Sequence, residues 1–155
     1  MYLLNHTIEI MFPEECWKLT DEETDLLFPG RQRPQEVVKV ADEAYMVFCL
    51  TDKAVDDSQL DSAINEFYFM IRQRCPENIF LDRGSMQVTP GHLSWMDFKG
   101  DAFSGETYYL LFLTRLGGKL LMGLFQCGWK QMRIYRSRIL HILSGIRDLS
   151  EMNTK

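Results

Sequence analysis

Residues 106–127 read ETYYLLFLTRLGGKLLMGLFQC, two runs of strand-forming residues on either side of Gly117 and Gly118. Glycine reaches the positive φ angles that a tight primed turn requires, so the stretch predicts a β-hairpin with strands at 106–116 and 119–127. Both runs are apolar at successive positions, which is typical of strands that are covered on both faces. We therefore expect a central hairpin with a layer of structure on each side.

From Trp129 to Leu149 the apolar period changes from that of a strand to that of a helix. Seven apolar residues fall within one stripe about 120° wide, which predicts a helix that packs on the hairpin. A second helix is predicted from Gln59 to Arg74, where Pro76 stops it, and it would cover the other face of the sheet. The stripe of the last helix consists of Met132, Tyr135, Ile139, Ile142, Leu143, Ile146 and Leu149.

The rest of the chain reads as short strands separated by turn residues. A capping box at Thr20 and Glu23 begins a short helix. Mostly meandering strands with helices on their faces predict an α+β fold, an α/β/α sandwich around a mostly antiparallel sheet of six to seven strands. We expect one domain over residues 1–150 and a flexible C-terminal tail over 151–155. The further strands are predicted at His6–Phe12, Glu36–Val40, Ala44–Thr51, Asn78–Val88 and His92–Phe98.

Composition and charge exclude several classes of function. The chain has 155 residues, a net charge of −5 and a pI near 5.2, so it lacks the basic surface that binding to nucleic acid or to an anionic membrane requires. The start of the chain does not read as a signal peptide, and no apolar run is long enough for a membrane span. We therefore expect a cytoplasmic protein, no nucleic-acid partner and no membrane insertion. Four scattered cysteines without a Cys-x-x-Cys pair favour free thiols over disulfides or zinc.

The order of the predicted elements, and several residues at their ends, resemble those of the PsbP/DcrB/Mog superfamily. The resemblance extends from Met1 to Leu149. It implies an α/β/α sandwich that relatives use mainly for binding: Mog-type members bind the GTPase Ran, PsbP-type members bind photosystem II, and related bacterial proteins act as chaperones for secreted type VI effectors. The resemblance suggests a bacterial, cytoplasmic member of this superfamily. The sequence differs from DcrB and PsbP in that no lipoprotein or transit leader is seen. No functional residue is carried over from the superfamily. The resemblance rests on an opening strand that ends in Phe12-Pro13 before Trp17, on LFPGRQRPQ at 27–35, on a helix that ends in Cys75-Pro76, and on Thr107-Tyr108-Tyr109 with Gly117-Gly118-Lys119 before ILSGI at 142–146.

No group of residues has the spacing of a catalytic, metal or phosphate site. His6, His92 and His141 are far apart, and none stands in a metal-ligand motif such as His-Glu-x-x-His. The acids between Asp52 and Asp61 lack the glycine and terminal glutamate of a calcium loop, and helix N-terminus charge matching explains them better. We therefore expect no enzyme activity, no cofactor and no metal.

Two helices carry candidate partner-binding residues. If Phe67 is buried, Phe69 points about 160° away, which exposes it together with Met70. The last helix is basic within an acidic chain, and Leu140 projects from it among charges that include Arg133 and Arg136. A solvated face and a docking surface for an acidic partner both explain that basic character.

The sequence thus predicts a non-enzymatic protein-binding module, whose most concrete form is a chaperone or adaptor for a secreted or membrane-associated protein. The alternative from another class is a small-molecule-binding protein or small enzyme with a pocket near Trp95 and Trp129. A structural homodimer is a third possibility.

Overall fold

A computed structural model of the chain describes residues 1–30, 33–89, 91–102 and 105–150. The predicted tail, residues 151–155, lies outside these ranges. Within them the chain forms ten strands and three helices, several of the strands only two residues long. In chain order they are β1 Tyr2–Leu3, β2 Ile8–Glu9, β3 Trp17–Lys18, α1 Asp21–Leu27, β4 Glu36–Ala41, β5 Ala44–Ala54, α2 Leu60–Arg74, β6 Ile79–Val88, β7 Gly91–Ala102, β8 Gly105–Leu116, β9 Lys119–Gly128, α3 Met132–Ser144 and β10 Arg147–Asp148.

Seven of the strands form one antiparallel sheet in the order β3-β4-β5-β9-β8-β7-β6. The hairpin β8–β9 occupies its middle, and its turn residues Gly117 and Gly118 have φ angles of 58° and 79°. Two positive φ angles in succession are the signature of a type I′ turn, which matches the twist of the strands. The α+β class and the antiparallel sheet predicted from the sequence are confirmed.

Each face of the sheet has its own apolar core. Alternate residues of β8 point to opposite faces, so Leu110 and Phe112 pack under α3 while Leu111 and Leu113 pack under α2. All four are buried, and each large apolar side chain removed from water contributes about 1.5–3 kcal/mol. This double burial explains why the central strands are apolar at successive positions.

A close approach inside the hairpin makes one glycine obligatory. Phe112 of β8 and Gly123 of β9 are cross-strand partners, and the end of the Phe112 ring lies close to the Gly123 backbone. A Cβ atom at position 123 would lie 2.0 Å from Cζ of that ring. The ring therefore occupies the space that any other residue at 123 would need.

The two ends of the chain differ from the prediction. The strand predicted at His6–Phe12 is only Ile8–Glu9, because Leu4, Asn5 and His6 have positive φ angles that end extended structure. The last helix stops at Ser144 instead of reaching Leu149, and residues 147–148 form β10. β10 and β1 pair with β2 on either side, so a separate three-stranded sheet joins the two ends of the chain.

Candidate functional site

The solvent side of α2 presents exposed apolar side chains next to the last strand of the sheet, β6. Phe69 is 68% exposed and Met70 is 38% exposed, whereas Leu60 and Ile64 of the same helix are buried. Helix geometry explains the difference, since Phe69 points about 160° away from Phe67, which packs on the core. Helical spacing places Met70 on the flank of α2 away from β6.

Tyr68 connects this exposed position to the interior through a series of ring contacts. Its ring centroid lies 5.4 Å from that of Phe69 and 4.5 Å from that of Phe80 on β6. Phe80 in turn lies 5.4 Å from Phe98, and Phe98 stacks on Tyr109 at 5.2 Å. Rings in contact at these distances attract one another beyond their buried area, so the outer rings are held in place by the inner ones.

Two arginines hold the Tyr68 ring at its exposed end. Arg72, one helical turn further along α2, donates a hydrogen bond of 3.0 Å from Nη1 to the Tyr68 hydroxyl, and its Cζ lies 5.7 Å from the ring centroid. Arg83 reaches over from β6, with Cζ 4.9 Å from the same centroid, and donates from Nη1 to Asn65 Oδ1. We call Tyr68, Phe69, Arg72, Phe80 and Arg83 the α2–β6 surface.

Neither arginine of this surface is neutralised within the described part of the chain. No carboxylate oxygen of residues 1–30, 33–89, 91–102 or 105–150 lies within 4.0 Å of a side-chain nitrogen of Arg72 or Arg83. Their contacts are with a phenol ring and a neutral amide, which orient a guanidinium group without cancelling its charge. The α2–β6 surface is therefore both apolar and locally cationic in a chain with a net charge of −5.

A hollow of about 230 Å³ extends this surface between α2 and β6. Ile64 and Asn65 line it from the helix, Arg83 and Gly84 line it from the strand, and Trp95 lines it from β7. The hollow has the size of a large amino-acid side chain. It can therefore accept one side chain of a bound segment, while the exposed rings contact its neighbours.

The edge strand itself is protected against pairing with another strand. The register of β6 on β7 shifts between Phe80 and Asp82, which is a β-bulge. The Asp82 amide donates a bond of 2.9 Å to Asp97 Oδ1, and the Arg83 amide donates a bond of 2.8 Å to Asp82 Oδ1. Because the bulge bends the edge and occupies these donors, side-chain contacts are favoured here over strand addition.

On the opposite face of the sheet, Arg136 binds a fully buried carboxylate. Asp97 on β7 is 0% exposed, and its Oδ2 accepts bonds of 2.5 Å from Arg136 Nε and 2.6 Å from the Tyr108 hydroxyl. A second carboxylate, that of Asp82, lies 3.5 Å from Arg136 Nη2. The guanidinium also lies over the Trp95 ring, with Cζ 5.9 Å from its centroid.

Burial and charge shift the pKa values inside this cluster. Burial, reinforced by the bond to Asp97, raises the pKa of the Tyr108 hydroxyl well above its ordinary value. Burial acts to lower the pKa of Arg136, but its bonds with Asp97 and its attraction to that carboxylate outweigh this and raise it. Both effects keep Tyr108 neutral and Arg136 charged, which is what a buried carboxylate requires.

The five predicted partner-binding residues are divided between the two faces of the sheet. Phe69 and Met70 lie on α2, whereas Arg133, Arg136 and Leu140 lie on α3. Arg133 is exposed, Arg136 contributes to the Asp97 cluster, and Leu140 is partly buried against the core. Tyr68, Arg72 and Arg83 are not among the predicted residues, and the signal for them in the sequence is limited to the four-residue spacing of Tyr68 and Arg72 on α2.

One cluster superficially resembles a hydrolase triad but lacks its geometry. Ser94 Oγ donates a bond of 2.6 Å to Asp61 Oδ1, and His92 Nε2 lies 3.3 Å from Ser94 Oγ and 3.5 Å from Asp61 Oδ1. In a triad, the histidine binds the serine through one ring nitrogen and the aspartate through the other. Here Ser94 and Asp61 both face Nε2 of His92. Ser94 is also fully buried, so a substrate could not reach its hydroxyl. The Ser94 bond lowers the pKa of Asp61.

A second hollow of about 230 Å³ lies where α3 meets the end of β4. Cys16, Val40 and Ile139 contribute to its mostly apolar lining, with Arg138 and His141 also among the lining residues. Burial raises the pKa of the Cys16 thiol, which donates to the carbonyl of Val40 at 3.7 Å. This hollow is not the predicted pocket.

The two tryptophans of the predicted pocket have separate surroundings. Trp95 contributes to the hollow beside Arg83, while Trp129 lies under Lys99, whose Nζ is 4.8 Å from the ring centroid. Among the described residues, no cluster of three or more histidine, cysteine or acidic side chains could hold a metal ion. No helix in the described ranges is long and apolar enough to cross a bilayer.

Comparison with known proteins identifies relatives of the fold. No family model matches the sequence, and no curated protein matches it. The structure is similar to that of CyanoP, the cyanobacterial PsbP of Synechocystis sp. PCC 6803, with a TM-score of 0.64 and 10% identity over 96% of this chain and 90% of that one.

Two further solved structures share the fold at lower scores. LpqN of Mycobacterium tuberculosis, involved in cell envelope biogenesis, has a TM-score of 0.55 and 11% identity over 90% of this chain and 82% of that one. PA94 of Pseudomonas aeruginosa, a protein of unknown function described as a putative regulator, has a TM-score of 0.52 and 10% identity over 84% and 78%. These likenesses confirm the PsbP-like fold that the sequence resemblance implied.

Proposed function

We propose that this chain is a non-enzymatic protein-binding module that docks its partner on the α2–β6 surface. The observation that carries the proposal is the exposure of Phe69, whose ring contacts Tyr68 beside two arginines. Aromatic and arginine side chains are the residue types that dominate binding energy at protein interfaces. A fixed aromatic ring next to a hollow of side-chain size is the arrangement in which such contacts are strongest.

In its finer form, the proposal is a chaperone or adaptor for a secreted or membrane-associated protein in the bacterial cytoplasm. LpqN, which shares the fold, is involved in cell envelope biogenesis, and the sequence resemblance includes binding proteins and chaperones. The proposal of a role without catalysis is supported by the Ser94 cluster, whose serine is buried and whose histidine presents a single nitrogen to both neighbours.

The test is affinity purification of the tagged protein from its native cells with two matched variants. Phe69→Asp introduces a charge on the α2–β6 surface, and Leu26→Asp introduces the same charge on α1, where the leucine is 84% exposed. α1 precedes β4, whereas β6 is at the other end of the strand order, so the two variants probe different surfaces. We expect a partner that is recovered with wild type and with Leu26→Asp but lost with Phe69→Asp. A partner lost with neither variant would move the binding surface elsewhere.

The second candidate function is binding of a small apolar ligand in the hollow between α3 and the end of β4. Its support is the apolar lining, formed in part by Val40 and Ile139, together with Arg138, a cation. Concave apolar sites with a few polar groups are the usual form of ligand sites. Ala41→Leu would fill this hollow, so binding of the apolar anion anilinonaphthalene sulfonate to wild type, lost in Ala41→Leu at unchanged melting temperature, would favour this function.

A further inference from the structure

We infer that the segment bound by the α2–β6 surface is acidic, with an apolar side chain that packs on Phe69 and carboxylates that pair with Arg72 and Arg83. The inference rests on the proposed function and specifies the chemistry of its partner. A purely apolar or a basic segment would not suit the same surface, because it would leave the charges of Arg72 and Arg83 unpaired.

Arg72 and Arg83 combine an unpaired charge with contact to an aromatic ring. Asp and Glu number 22 against 17 Lys and Arg, so carboxylates are available to pair with cations. In the described part of the chain, four arginines lie within 4.0 Å of a carboxylate (Arg33, Arg115, Arg136 and Arg147) and five do not (Arg72, Arg74, Arg83, Arg133 and Arg138). Of these five, Arg72 and Arg83 are the two that contact an aromatic ring. Covering Arg72 and Arg83 with an uncharged partner would remove two cations from water without compensation. Pairing with carboxylates of the partner compensates for this loss of hydration.

The geometry also prepares both guanidinium groups for carboxylates. A guanidinium that contacts the Tyr68 ring keeps further N–H donors along its edge, and these can meet the two oxygens of a carboxylate. Arg72 is further fixed by its bond to the Tyr68 hydroxyl and Arg83 by its bond to Asn65. Because the side chains are already ordered, binding immobilises less of them, which favours affinity.

Two carboxylates beside this surface have other partners. Asp82, which precedes Arg83, lies beside Arg136 on the opposite face. Asp61, which also lines the hollow, accepts a hydrogen bond from the Ser94 hydroxyl. Neither carboxylate lies within 4.0 Å of a side-chain nitrogen of Arg72 or Arg83. A bound molecule would therefore supply the carboxylates that pair with them.

The test selects short peptides from a random displayed library on the full chain, with counter-selection on Phe69→Asp. We expect the recovered peptides to combine an aromatic or large aliphatic residue with aspartate or glutamate on either side. Their affinity should fall about tenfold in the double variant Arg72→Gln/Arg83→Gln. It should also fall between about 0.05 and 0.5 M salt, because paired charges at a partly exposed site are screened.

A control variant separates local pairing from net charge. Lys53→Gln/Lys130→Gln removes two positive charges at exposed positions outside the α2–β6 surface and outside both hollows, and should leave the affinity unchanged. Peptides that depend on Phe69 but carry no acidic residue, or that bind the Arg72→Gln/Arg83→Gln protein equally well, would overturn the inference and leave the binding module intact.

Two other outcomes overturn more. If no recovered peptide distinguishes wild type from Phe69→Asp, the α2–β6 surface is not a docking site, and both the inference and the proposed function fail. A wild-type dimer in analytical ultracentrifugation that becomes a monomer in Phe69→Asp would assign the surface to a second copy of this chain. That result would overturn the acidic foreign segment as its occupant.

Discussion

Replacing Arg136 by alanine should destabilise the fold far more than its partly exposed position suggests. The change leaves the carboxylate of Asp97 buried at 0% exposure with the Tyr108 hydroxyl and the Asp82 amide as its remaining donors. Neither donor carries a positive charge. An uncompensated charge in an apolar interior is among the most costly defects that one substitution can produce.

The expected magnitude follows from the degree of burial. Breaking a buried ion pair by removing one partner costs about 3–5 kcal/mol. The Arg136 side chain is 34% exposed, so water can enter the space it leaves and hydrate Asp97 in part. We therefore expect a loss near the lower end, about 3 kcal/mol, which for a domain of this size lowers the melting temperature by about 6–12 °C.

Urea unfolding followed by circular dichroism measures this loss against two comparisons. Arg133→Ala removes an arginine from the same helix at an exposed position and should cost less than about 1 kcal/mol. Adding Asp97→Asn to Arg136→Ala removes the unpaired charge and should recover part of the loss, which a double-mutant cycle reports as a coupling energy. If Arg136→Ala costs no more than Arg133→Ala, Arg136 does not stabilise the buried Asp97 carboxylate.

The remaining predictions concern packing, reactivity and pH. Gly123→Ala should cost about 2–3 kcal/mol in urea unfolding because its Cβ would overlap the Phe112 ring, and Phe112→Leu in the same chain should recover part of this; an additive double variant would contradict the contact. Burial raises the pKa of Cys127 to about 12, so mass spectrometry should find it unmodified by iodoacetamide in the folded protein and modified in urea; equal rates would contradict its burial. Because the bond from Ser94 lowers the pKa of Asp61, that bond stabilises the fold above the ordinary value of 3.8 and is lost as pH falls through the lower folded value. Ser94→Ala should therefore destabilise the protein more at neutral pH than at about pH 2, and a difference independent of pH would count against the bond.

The parts of the fold that sequence predicts are those with a local cause. Gly117 and Gly118 favour a few types of tight turn. The change of apolar period after the hairpin predicts a helix, whichever surface that helix packs on. The ends of the chain were mispredicted because their structure depends on distant partners. Ile146 is buried, as its place in the stripe suggested, but the helix has already ended and the chain has turned to pair with Glu9.

The candidate site divides in the same way. The exposure of Phe69 follows from its angle on the helix, a property of α2 alone. The position of Arg83 over Tyr68 depends on the return of β6 along the edge of the sheet, which no local pattern encodes. The burial of Asp97 is not predictable from the sequence either, because an acidic residue in a strand is ordinarily expected on a solvent-exposed face. The structure shows it buried beneath Arg136.

The three-stranded sheet that joins the two ends of the chain sets the order in which the molecule can fold. Its contact between Glu9 and Arg147 spans 138 residues, and closing so long a loop costs about 4 kcal/mol of chain entropy, against very little for the two-residue turn of the central hairpin. During synthesis, at roughly 5–20 residues per second, the hairpin is complete seconds before β10 exists. Strand β2 therefore remains without its partner β10 until after the large sheet has formed. Docking of the two ends is the natural last step of folding, and it gives this protein a higher contact order and a slower folding rate than its hairpins alone would suggest.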